Sequence, residues 1–139
     1  MSHHFENCYW HCMDPRLQQA IHEDWVKRGL YGNTDRVSWP GTIKDFVSPK
    51  WPGYRDHMFW PLEISYKKHG VRNFIFVQHM DCGAYGGKGA FNNEDAEWNQ
   101  HKADLNESER IIKERFPDIT VEKWIIRMRD GEVIDFVQV

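Results

Sequence analysis

The sequence predicts an α/β fold in which a mostly parallel central β-sheet is flanked by helices and ends in a C-terminal hairpin. Helix-like and strand-like segments alternate through most of the chain, the order from which parallel sheets are built. Residues 71–77 (VRNFIFV) form a near-continuous apolar run, as a strand covered on both faces requires. Asp130-Gly131 separates two strand-like runs, 121–128 and 133–139, which is a hairpin signal.

Residues 5–12 carry aromatic side chains in rough alternation, and Pro15 stops that strand. A helix is expected over 16–28, with Leu17, Ala20, Ile21 and Trp25 on one face. Gly29 and Gly32 break it. From Tyr31 to Pro61, Pro40, Pro49, Pro52, Gly41 and Gly53 interrupt everything except a short strand near 35–39. A loop of that length is functional or covers something. Its Trp39, Phe46, Trp51, Tyr54, Phe59 and Trp60 predict that it packs down. Residues 61–69 read as a helix with Pro61 in its first turn, and Gly70 ends it. The central strand runs into Gln78-His79-Met80-Asp81-Cys82-Gly83 and a glycine-rich stretch. Asn92 or Asn93 then caps a long helix over 94–115, with Trp98, Leu105, Ile111 and Ile112 inward and its charges forming a solvated face.

Composition narrows the function. The 139 residues suit a single domain, 1–139, large enough for a core without disulfide staples. A net charge of −3 argues against nucleic-acid binding driven by bulk charge. No apolar run approaches the roughly 20 residues of a membrane span, so no membrane partner is expected. The start, Met1-Ser2-His3-His4-Phe5, lacks the pattern of a signal peptide, and a cytoplasmic location is expected. Three cysteines cannot form a closed disulfide set. In such a chain metal or catalytic use is the better reading.

In open α/β sheets chemistry gathers at the carboxyl ends of strands. Two predicted strands end in soft ligands, the first at Cys12 and the central one at His79 and Cys82. Two thiolates and an imidazole suit Zn²⁺, and three protein ligands leave a fourth position open, as catalytic sites do. Each motif alone also reads as core packing. The sequence after Cys12 strengthens the metal reading, because alternate residues bring Asp14 and Arg16 to the same strand end. Cys8 lies about 13 Å up the strand and reads as a core thiol. The stretch 83–89 fails the phosphate-loop pattern, since Gly89 follows Lys88 in place of Ser or Thr. Asp81, inside the ligand turn, can bond the backbone there.

Cys12-x-Asp14-x-Arg16, followed by a buried strand ending His79-x-x-Cys82-Gly83, resembles the β-class carbonic anhydrases. The stretch from Trp60 to Gly83 is similar to that family's core in order and spacing. The resemblance implies a zinc-dependent carbonate dehydratase, a lyase hydrating CO₂ to bicarbonate. It implies Zn²⁺ on Cys12, His79 and Cys82, with a zinc-bound hydroxide oriented by an Asp14–Arg16 dyad. In some members the aspartate occupies the fourth position, and in others it pairs with the arginine and admits water. A small-molecule substrate and a homodimer or higher homo-oligomer follow from the same resemblance. Ser38-Trp39-Pro40-Gly41 departs from the family's Arg-Asn-Ala-Gly. That leaves carbonyl sulfide or carbon disulfide hydrolysis, or a non-catalytic zinc-binding relative, as alternatives.

Overall fold

The computed structural model describes residues 3–139. Its five strands are β1 (Asn7–His11), β2 (Thr34–Ser38), β3 (Asn73–His79), β4 (Thr120–Arg129) and β5 (Glu132–Gln138). They form one sheet in the order β2-β1-β3-β4-β5. All neighbours pair in parallel except the β4–β5 hairpin. The chain leaves β1 for β2 on one side, then crosses to β3 on the other. The carboxyl ends of β1 and β3 therefore flank the point where strand order reverses, the favoured ligand crevice of open α/β sheets.

Alternation along the strands divides the core. Cys8, Trp10, Phe74 and Phe76 face one side of the sheet, and Tyr9, Ile75 and Val77 face the other. The first face is covered by α2 (Lys44–Val47), α3 (Tyr54–Glu63) and α4 (Glu94–Arg115). The second is covered by Leu17 and by α1 (Gln18–Arg28) through Ile21 and Trp25. Removing a fully buried aromatic such as Phe76 costs about 3–5 kcal/mol.

Several expectations hold closely. Asn93 caps α4 by accepting the Ala96 N–H at 2.8 Å. Asp130 and Gly131 both take positive φ, as a two-residue hairpin turn demands. The segment 31–61 differs, because α2 and α3 occupy much of what reads as loop. Pro61 lies inside α3 and does not open a helix. Burial of Met58, Phe59 and Leu62 on one face holds α3 together across the missing N–H. The following turn widens into a π-helix, Ile64–Lys68. Phe46 and Phe59 do pack down, whereas Trp51 and Trp60 are exposed. On α4, Glu97 and Asp104 are buried, against the expectation of a solvated charged face. Among the described residues no helix is long and apolar enough to cross a membrane.

Candidate metal centre

β1 and β3 pair in register from Asn7↔Asn73 to His11↔Val77, so Cys12 leaves the sheet beside His79. One ligand atom from each of Cys12, His79 and Cys82 lies within 4.8 Å of the others, and all three residues are buried. The two Sγ atoms are 4.0 Å apart. Two sulfurs at zinc's bonding distance of about 2.3 Å span about 3.8 Å in a tetrahedron.

Backbone groups orient the donors. His79 Nδ1 lies 2.8 Å from the Met80 carbonyl, which only accepts, so Nδ1 carries the proton. Nε2 is left with its lone pair, out of solvent and without a hydrogen-bond partner. A buried orphan acceptor is costly unless something fills it. The Cys12 thiol is pulled well below its usual pKa, first by the hydrogen bond with Cys82 and also by the Gly41 amide. Cys82 moves up, because it keeps the shared proton and is buried, although the Ala84 and Tyr85 amides oppose this. Amides thus point at both sulfurs. Gly41 reaches Cys12 only because it has no side chain: its φ is +73°, and a Cβ there would meet Ala84 Cβ at 3.0 Å. The donor set, its orphaned nitrogen and these amide bonds fit a Zn²⁺ ion with one position to spare.

Asp14 and Arg16 stand at the open side. The Asp14 carboxylate caps the turn Pro15–Leu17 by accepting the Arg16 N–H at 2.9 Å. It also accepts Arg16 Nε at 3.1 Å on each oxygen and Nη2 at 2.7 Å. That pairing holds its carboxyl below the usual carboxylate range. Asp14 Oδ2 lies 3.9 Å from His79 Nε2, so the carboxylate faces the donors while bound to arginine. Met13, Asp14, Gly83 and Ala84 bring solvent to this side.

All five residues expected from the sequence therefore meet at one strand-end crevice. Cys8 does not join them. It is buried farther up β1, with Trp10 Nε1 donating to its sulfur at 3.2 Å. His11 is turned away: Nδ1 donates to the Cys12 carbonyl at 2.8 Å and Nε2 accepts from Arg36 at 3.0 Å. Missing from the sequence reading were the Gly41 amide, the buried Glu97 that accepts the Asp81 N–H at 2.6 Å, and a contact between Arg16 and Asp81 at 2.9 Å. An aspartate between two candidate ligands was the available signal for the last.

A cleft of about 1070 Å³ lies between α1 and the β4–β5 hairpin with Arg16 at its edge. A polar one of about 380 Å³ has Asp81 and Glu97 in its wall. Cys12, His79 and Cys82 line neither.

The family model described as “Putative carbonic anhydrase” matches residues 1–135. An uncharacterised protein of Rickettsia conorii is 31% identical over 125 residues, which is 88% of this chain and 67% of that protein. Among solved structures, the β-carbonic anhydrase isoform I of Trichomonas vaginalis superposes with a TM-score of 0.60 at 16% identity, covering 96% of this chain and 82% of that one. One of two tetrameric β-carbonic anhydrases of Sordaria macrospora superposes with a TM-score of 0.56 at 13% identity, covering 99% and 82%.

Proposed function

The chain belongs to the family described as “Putative carbonic anhydrase”, and from that premise we propose that it is a zinc-dependent carbonate dehydratase that hydrates CO₂. The observation that carries the reading is the lone pair of His79 Nε2, buried and unpartnered between Cys12 and Cys82 with Asp14 Oδ2 at 3.9 Å. Cys12, His79 and Cys82 would hold the zinc. When bound, zinc supplies a water acidified to a pKa of about 7.

The remaining work falls to this chain's own residues. Arg16 keeps Asp14 ionised and faces it toward the donors. An ionised carboxylate only accepts hydrogen bonds, so Asp14 Oδ2 takes the proton side of the reacting water and leaves a lone pair free for the carbon of CO₂. Pairing with Arg16 also keeps Asp14 from taking the fourth position itself. The buried surroundings of Cys12 and Cys82 suit an apolar, uncharged substrate. The chain would act as one zinc-bearing unit in a homo-oligomer. It needs a compartment where Cys12 and Cys82 stay reduced, as the cytoplasm provides.

Stopped-flow CO₂ hydration by protein with a full zinc complement tests the reading. A rate well above buffer that collapses in Asp14→Asn supports it, and a background rate at full zinc overturns it. Sulfide release from carbonyl sulfide by the same preparation would move the assignment to that substrate.

A further inference from the structure

Asp81 lies between two proposed ligands in a left-handed backbone conformation, φ +58°. Glycine or asparagine takes that conformation most easily. Every polar atom of Asp81 is nevertheless engaged. Its N–H donates to buried Glu97 at 2.6 Å, and its Oδ1 accepts the Lys88 N–H at 2.9 Å. Its Oδ2 accepts Arg16 Nη1 at 2.9 Å, and its carbonyl accepts Arg16 Nη2 at 2.8 Å. Gly87 leaves room for this, since a Cβ there would come within 3.2 Å of Asp81 Oδ1.

Arginine presents five N–H groups in a rigid plane. On Arg16, the edge formed by Nε and Nη2 holds Asp14, while Nη1 and the second Nη2 hydrogen reach Asp81. Asparagine at position 81 would suit the turn and accept the Lys88 N–H equally well. What asparagine lacks is a second oxygen for Arg16. The choice of aspartate is thus explained by the arginine and not by the turn.

We infer that Asp81 is a positioning residue: it grips the far edge of the Arg16 guanidinium and so keeps Asp14 paired with Arg16 and off the metal donors. The inference rests on Cys12, His79 and Cys82 being the metal site. Arg16 and Asp81 are each one-third exposed, and exposed ion pairs contribute little to folding. What this contact supplies is orientation. Without it Arg16 hangs from Asp14 alone, and a carboxylate already 3.9 Å from His79 Nε2 is free to swing inward.

The test uses zinc-loaded Asp81→Asn and Asp81→Gly beside the wild type. It measures zinc content, kcat and KM for CO₂ hydration, and hydrogen exchange of the Arg16 Nε proton by ¹⁵N NMR. Both variants are expected to keep zinc, to lose kcat roughly ten- to a hundredfold with little change in KM, and to exchange the Arg16 proton faster. Wild-type kcat and exchange in Asp81→Asn would overturn the inference. Zinc loss in Asp81→Asn would overturn it too, by reducing Asp81 to a former of the ligand turn. Should the wild type not hydrate CO₂, the exchange rate still decides. Faster exchange upholds the clamp while the activity reading fails on its own, and unchanged exchange removes the clamp.

Discussion

Cys8 and Cys12 stand at opposite ends of β1, both shielded from solvent, and their surroundings treat them oppositely. Around Cys8 burial dominates and pushes the thiol up to about 12. Its neighbours are mutually satisfied: Asp35 Oδ2 accepts from Ser65 Oγ at 2.6 Å and lies 2.7 Å from His69 Nδ1. Around Cys12 burial is outweighed by Cys82 and the Gly41 amide, which favour the thiolate. The amino end of the sheet thus gathers Cys, His, Asp and Ser without leaving a buried side-chain nitrogen or oxygen unpaired among the described residues. The carboxyl end leaves His79 Nε2 unspent. The comparison teaches that residue type does not mark a site; an unsatisfied atom with convergent neighbours does.

Substitution at the two ends should separate them sharply. Cys12→Ser or His79→Ala is expected to take zinc content from about one per chain to near zero and activity to background, as read by metal analysis beside stopped-flow assays. Asp14→Asn should keep the metal while lowering kcat roughly a hundredfold, so retained turnover at full zinc would detach the dyad from the chemistry.

A smaller effect concerns a second orphaned imidazole near the carboxyl end. His101 is fully buried, and burial drives its pKa down to about 3. Between pH 6.5 and about 3 the unfolded chain takes a proton that the folded chain refuses, so stability falls as pH falls. That amounts to about 2 kcal/mol at pH 5 relative to neutrality, and His101→Gln should flatten this slope in urea titrations run at several pH values. The smallest change is expected at the amino end. Cys8→Ser should cost about 1 kcal/mol in urea midpoint and leave zinc content and kcat unchanged; zinc loss there would erase the contrast between the two ends.

Much of this arrangement was legible in the sequence because it is local. A strand ending in candidate ligands, an asparagine cap and an Asp-Gly turn all announce themselves within a few residues. What stayed hidden depends on partners far along the chain. Glu97 and Asp104 read as surface charges because the Asp81 N–H and the Tyr85 hydroxyl that satisfy them come from the ligand loop. Pro61 read as a helix start because its missing N–H is cheapest there. Contacts of Met58, Phe59 and Leu62 with the core instead carry α3 through it. Arg16 was legible as a partner of Asp14, two residues away, but not of Asp81, whose contact spans 65 positions.

The pairing of β1 with β3 also sets a time order. Cys12 and Cys82 are 70 residues apart in sequence, and contacts of such range form late because a long loop must close first. The nascent or refolding chain therefore has only His79 and Cys82 of the three proposed metal ligands until those two strands dock. Tight capture of the proposed zinc becomes a clock for that docking, and a zinc-sensitive dye should register uptake after the helical signal of α4 has already appeared.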